Sequence, residues 1–199
     1  MKLAESFYQR SDVVKIAREL LGKVLITAID GIITGGVIVE TEAYSWKERG
    51  CHAYAGRKTK RNGVMFEKGG VAYVYLCYGM HQMFNVVTNR EGVAEAILIR
   101  AIEPVEGLPE IQARRGNLSS PFQLTSGPGK LTKALGINRN LNGKWLTDNE
   151  VWIEDKGHKI KSGEIEVSSR IGIDYAGEDA KLPWRFNIKG NRWVSGRGG

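Results

Sequence analysis

Cysteine is almost missing from this 199-residue chain: Cys51 and Cys77 are its two thiols, and they do not form a Cys-x-x-Cys pair. Neither a disulfide framework nor a zinc site is suggested. Histidine is equally sparse, and His52, His81 and His158 are too scattered to make a metal motif. Long hydrophobic runs are absent as well; stretches such as 24–26 and 97–99 fall far short of the ~20 residues a membrane-spanning helix needs. The N-terminus carries Lys2 and Glu5 and no apolar segment of the kind that directs secretion. A cytoplasmic protein with no membrane partner is expected. No repeat or low-complexity linker divides the chain, so one domain over 1–199 is expected, loosely ordered at 1–10 and 196–199.

What is present in excess is positive charge. Lys and Arg number 29 against 22 Asp and Glu, a formal +7. A basic surplus on a chain of this size points to a polyanionic partner, of which nucleic acid is the commonest. The densest cluster is Arg57, Lys58, Lys60 and Arg61, in a loop bracketed by Gly56 and Gly63. Such a loop either follows phosphates or is simply solvated, and charge alone does not say which.

The hydrophobic pattern is mixed. Ser11 is expected to cap a helix over 11–21 that Gly22 stops. Strands over 23–28 and 32–44, joined at Asp30-Gly31, read as a β-hairpin. Further strands are expected at 72–77, 83–88, 96–102, 151–154 and 185–189, with short helices at 108–115 and 130–135. Strands arriving as hairpins, without regular strand-helix alternation, favour an antiparallel α+β domain over a doubly wound sheet.

Three stretches carry chemistry. The strand 37–44 runs from apolar residues into two carboxylates and a phenol, and alternation puts Ile38, Glu40, Glu42 and Tyr44 on one side. A carboxylate on a rigid strand beside an aromatic ring can activate a water next to a flat ligand; the alternative is a solvated strand end. Tyr73, Tyr75 and Tyr78 recur along the next aromatic stretch, with Tyr78 at a Gly79 turn. They are either ordinary strand packing or a slot for a planar base with one ring free to wedge into a stack. Finally, Ser126-Gly127-Pro128-Gly129-Lys130 could offer amides to a phosphate, or be only a turn. It is not a P-loop, because Leu124 and Leu131 stand where Gly and Ser or Thr are required.

With these residues in view, the chain resembles the methylpurine (alkyladenine, 3-methyladenine) DNA glycosylases from about residue 20 to 195. The resemblance is carried by Leu21-Gly22-Lys23, the stretch 38–44, Arg61-Asn62, Met65-Phe66, 73–80, Asn85, 98–104, 126–131, Arg170-Ile171-Gly172 and Trp193-Val194-Ser195. It implies one α+β domain around a curved antiparallel sheet with short flanking helices, and no metal or organic cofactor. It also implies a monomer acting on double-stranded DNA that contains damaged purines. The implied reaction, a step of base excision repair, is hydrolysis of the N-glycosidic bond of 3-methyladenine, 7-methylguanine, hypoxanthine or ethenoadenine.

Residue by residue, Glu42 matches the general base, Arg100 a partner of the attacking water and the Ile171 carbonyl that water's third contact. Tyr44, His52 and Tyr75 match the walls around the extruded base, and Asn85 the residue that crowds guanine's 2-amino group. Tyr78 matches the intercalating wedge. The basic residues Arg57, Lys58, Lys60 and Arg61, with Gly129 and Lys130, are expected along the DNA backbone. The pattern departs from the family in the gap between Tyr44 and His52, one residue shorter than in vertebrate members, and at His81, which replaces an aromatic. Two other readings of the residues stand beside this one: a non-catalytic domain stacking bases on its tyrosines, and a metal-dependent nuclease.

Overall fold

A computed structural model describes residues 1–196. Its frame is an eight-stranded antiparallel sheet ordered β3-β4-β5-β2-β1-β6, with β8 paired to β2 and β7 paired to β8. The strands are β1 (Val24–Ile29), β2 (Ile32–Ser45), β3 (Ala72–Cys77), β4 (His81–Thr88), β5 (Glu95–Glu106), β6 (Val151–Glu154), β7 (Ile165–Ser168) and β8 (Arg185–Ile188). Short helices α1 (Glu5–Tyr8), α2 (Val13–Glu19), α3 (Leu108–Arg115) and α4 (Pro128–Ala134) complete the α+β fold. No helix among the described residues is long and apolar enough to cross a membrane.

The sheet buries both faces, and neighbouring residues divide between them as the pleat requires. Ala43, Ala72, Val74, Val86 and Ile97 belong to the main core, with Ile16, Leu20, Phe84 and Phe186. Their neighbours Tyr44, Tyr73, Val87 and Ala96 join a second cluster with Cys51, Ala53 and Met65. Helix α2 packs on the main-core face, where Thr41 Oγ1 donates to the carbonyl of Ala17 over 2.9 Å. The opposite face, roofed by the loop that contains Cys51 and Met65, is left for the site.

The Asp30-Gly31 hairpin forms as expected, with φ of 53° and 77° matching the right-handed strand twist. Several boundaries differ from the sequence reading. Helix α2 is shorter, and Asp12 caps it, its Oδ1 accepting from the Lys15 N–H at 2.8 Å, in place of Ser11. Strand β5 runs on through Pro104, which needs no ladder donor and sits where the pairing with β2 shifts register at Gly35/Gly36. Strand β7 has no counterpart in the expectation.

Residues 1–10, expected to be loose, are tied down. Leu3 and Tyr8 are buried, and the Leu3 N–H donates to the Ile153 carbonyl at 2.9 Å. At the other end, the expected frayed tail lies, from residue 197 onward, outside the described residues.

Alternation along β2 breaks at one place, and the site depends on it. Ile38 pairs with Ile102, Glu40 with Ala101 and Thr41 with Ile99, so Val39 on β2 and Arg100 on β5 are extra residues at β-bulges. Here the edge of β2 changes partner from β1 to β8. As a result Ile38 faces the main core, while Val39 joins Ala101 and Val194 in a separate cluster. The expectation that Ile38 shares a side with Glu42 is therefore corrected: a bulge reverses the parity of every residue before it.

Candidate active site

The bulge on β5 re-aims Arg100 toward two carboxylates on β2. Its Nε donates to Glu40 Oε1 at 3.0 Å and its Nη1 to Glu42 Oε2 at 3.2 Å, and all three residues are buried. Glu40 is saturated as well by Arg185 Nε at 2.7 Å and by the N–H and hydroxyl of Ser195 at 2.7 and 2.9 Å. It is a structural anchor for Arg100. Glu42 takes fewer bonds: the Tyr44 hydroxyl and Arg100 on Oε2, and the Ile171 N–H on Oε1 at 2.8 Å. A carboxylate offers about four acceptor sites. One on Oε1 is left for a further donor.

Every one of Glu42's three partners, Tyr44, Arg100 and Ile171, lines a pocket of about 440 Å³, with Glu42 itself fully buried behind them. The same pocket is walled by His52, Arg61, Tyr73, Tyr75, Asn85, Tyr78 and Tyr175. Its volume falls within the range of small-molecule clefts. On one side the His52 ring meets Tyr75 edge-on at 4.6 Å, and its Nδ1 pairs with the Tyr73 hydroxyl at 2.9 Å. His52 is exposed as a residue, yet burial of the part of its ring packed against Tyr73 and Tyr75, with Arg61 nearby, pushes its pKa down to about 4. Burial raises the phenols of Tyr44 and Tyr75, and Glu42 raises that of Tyr44 further. At neutral pH the pocket presents a neutral imidazole and intact phenol donors.

Asn85 is buried at the pocket wall, its Nδ2 donating to the Tyr73 carbonyl at 3.1 Å. Tyr78 stands at the tip of the β3–β4 turn, 89% exposed, with φ at 50°. That conformation is rare for a bulky side chain and marks a site where strain is tolerated.

The basic residues separate. Arg57, Lys58 and Lys60 are exposed and stand outside the pocket lining. Arg61 is a pocket residue: its Cζ lies 5.3 Å from the Tyr75 ring centre and its Nη2 donates to the Leu76 carbonyl at 3.2 Å. Asn62 ties this loop to the pocket, donating to the carbonyls of His52 and Arg57 at 2.8 and 2.9 Å. Gly129 and Lys130 are not pocket residues either, although Pro128 between them and Gly127 is. A Cβ on Gly129 would stand 3.0 Å from the His81 ring, so glycine admits a histidine where an aromatic was expected.

The sequence reading missed several supporting groups. Tyr73 was visible as an aromatic but not as the partner of His52. Arg185 and Glu48 gave no signal, while Ser195, which with Arg185 holds Glu40, and Arg170, which pairs with Glu48 beside Tyr44, stood in motifs of the resemblance without an assigned role. Ile171 was expected to meet the attacking water through its carbonyl; that its N–H also donates to Glu42 was not anticipated.

A profile of the family described as methylpurine-DNA glycosylase matches residues 6–192. The chain is also similar to proteins provisionally named 3-methyladenine DNA glycosylase. That of Chlamydia felis is 48% identical over 196 residues, covering 96% of this chain and all (100%) of its own. That of Carboxydothermus hydrogenoformans is 49% identical over 195 residues, covering 98% and 99%. A relative from Methanoculleus marisnigri is 47% identical over 199 residues, covering 99% and 100%.

Proposed function

Because the chain belongs to the methylpurine-DNA glycosylase family, and so is a DNA repair hydrolase acting on N-glycosidic bonds in DNA, we propose that it excises flipped-out damaged purines with a water activated by Glu42. The substrate class is the alkylated and deaminated purines: 3-methyladenine, 7-methylguanine, hypoxanthine and ethenoadenine. The observation that carries this reading is Glu42, buried behind the pocket wall on three donors with one acceptor site unspent.

The lesion cannot be reached inside the duplex, so the nucleotide turns out into the pocket, at a cost of a few kcal/mol. Tyr44, His52 and Tyr75 receive the flat base, and Asn85 crowds the exocyclic amine of normal guanine. Tyr78, free at its turn, fills the vacated stack. Glu42 accepts a proton from water as the water oxygen bonds to C1′. The C1′–N bond breaks with its electron pair leaving on the purine. Glu42, with the Arg100 guanidinium, Ile171 and the Tyr44 hydroxyl around it, is placed to stabilise the positive charge that develops on the sugar. A 3- or 7-alkylated purine is already cationic in the nucleotide, so on taking the bond's electron pair it leaves as a neutral base without a general acid. Hypoxanthine is neutral in the nucleotide and takes the electron pair as an anion unless it is protonated as it leaves, so its release depends more on contacts to the purine. Arg57, Lys58, Lys60, Gly129 and Lys130 follow the backbone of the DNA. The enzyme works as a cytoplasmic monomer without a cofactor.

The test is to incubate the protein with duplexes containing hypoxanthine or 7-methylguanine in EDTA. Free base should appear while both strands stay intact until alkali is added. Strand breakage without free base, or no release from either duplex, would overturn the reading.

A further inference from the structure

Two of the three groups that hold Glu42 lead back to one side chain outside the pocket. Arg170 is buried, with its side chain fully enclosed, and makes four hydrogen bonds. Nη1 donates to Glu48 Oε1 at 2.7 Å and to the Ala43 carbonyl at 3.0 Å; Nη2 donates to Glu48 Oε2 at 2.8 Å and to the Asp179 carbonyl at 3.0 Å. Its Cζ lies 4.7 Å from the Tyr44 ring centre and 5.2 Å from that of Trp184. Burial works most strongly against its charge, and Glu48, Tyr44 and Glu42 together outweigh that effect.

We propose that Arg170 is a positioning residue for base excision: gripped by Glu48, it fixes the Tyr44 ring and the Ile171 amide, and through them both oxygens of the Glu42 carboxylate. The Tyr44 hydroxyl is the donor to Oε2, and the ring that carries it is the one against which the guanidinium lies. Ile171, the donor to Oε1, is the next residue in the chain, so anchoring the side chain of Arg170 anchors its backbone. The bond to the Ala43 carbonyl fixes the strand immediately before Tyr44.

A fork of planar donors meets this demand, whereas a lysine ammonium, a compact point charge, cannot reproduce the bidentate grip and the ring contacts together. A misplacement of about 1 Å at a reacting centre costs on the order of 100-fold in rate. A buried ion pair is weak evidence for stability in itself. Its placement here serves the aim of Glu42.

The inference rests on the glycosylase reading, and the experiment separates the two. Single-turnover excision of hypoxanthine and 7-methylguanine, affinity for duplex bearing a tetrahydrofuran abasic mimic, and urea unfolding are measured on the full chain. The proteins are wild type, Arg170→Lys, Glu48→Gln, Tyr44→Phe and the Arg170→Lys/Tyr44→Phe double variant. Arg170→Lys should lower the single-turnover rate constant about 10- to 100-fold, with affinity close to wild type. In the double variant the two losses should be less than multiplicative, because both act on one hydrogen bond. A wild-type rate constant in folded Arg170→Lys overturns the proposal, and so does a loss of affinity in step with the rate, the mark of a merely structural role. Where Arg170→Lys fails to fold, Glu48→Gln decides, since it keeps one acceptor for Arg170: a reduced rate constant at unchanged affinity supports the proposal and an unchanged one sinks it. A wild-type protein that releases no base removes the functional reading itself; an active wild type beside unaffected variants removes only this inference.

Discussion

The hydroxyl of Tyr44 donates to Glu42 Oε2 over 2.8 Å from two residues further along the same strand. One face of β2 therefore presents both the acid and a wall of the pocket, and a single bond ties the aim of one to the position of the other. Glu42→Gln keeps the side chain's size and an acceptor carbonyl but removes the proposed base. Excision should fall by about 100-fold or more, while affinity for duplex with a cationic abasic mimic should fall less. Single-turnover kinetics beside a binding titration check this, and near-normal excision would take Glu42 out of the mechanism.

Tyr78 occupies a left-handed conformation at the turn tip, so its removal should separate stability from function. Tyr78→Gly should leave the fold as stable or stabilise it by roughly 1 kcal/mol, read from the urea midpoint. The same change should impair excision from duplex far more than from a single strand, because only the duplex has a vacated stack to fill. Equal losses on the two forms of DNA would contradict the wedge.

His52 should leave a signature in the pH dependence of stability. Its pKa is about 4 in the folded chain against the ordinary 6.5, so between these values the unfolded chain binds the extra proton. Stability attributable to His52 is thus present above 6.5 and is lost as pH falls from 6.5 toward 4. His52→Asn should flatten the stability profile in that window alone, and an unchanged slope would show that the ring is not withdrawn from water.

Binding should weaken steeply with salt. For about 4 to 6 neutralised phosphates the log-log slope should be roughly −4 to −5. Arg57→Ala or Lys60→Ala should each make it shallower. Arg61→Ala should alter it less than these, because the Arg61 guanidinium faces Tyr75 and the pocket. A flat salt response of the wild type would point away from a phosphate-tracking surface.

Local signals were legible in the sequence: the Asp30-Gly31 turn, the aromatic strand with its Gly79 turn, and an acid where an apolar strand had no structural need of one. Of the residues assigned to the site from sequence, Tyr44, His52, Tyr75, Tyr78, Asn85, Arg100 and Ile171 line one pocket, with Glu42 behind them. What could not be read is what depends on a partner strand. The bulges at Val39 and Arg100 form where β2 passes from β1 to β8, a tertiary event, and the one at Val39 reverses the parity of Ile38. Glu48 and Arg185 are ordinary polar residues in isolation, and although Arg170 and Ser195 stood in recognisable motifs, the roles of all four arise only from burial beside β2. Strand β7 is four residues long and half polar, too short for a period to show.

Glu40, which anchors Arg100, is bonded by the main chain of Ser195, and 155 residues of chain separate the two. At translation speeds of about 5–20 residues per second, that separation is roughly 8 to 30 seconds of synthesis. The strand bearing the acids leaves the ribosome first, and its countercharge acquires its full set of anchors only when the last of these residues emerges. A nascent chain that has not yet released residue 195 lacks the Ser195 bonds to Glu40, so the order of synthesis itself leaves the Glu40–Arg100 arrangement unfinished until the molecule is nearly whole.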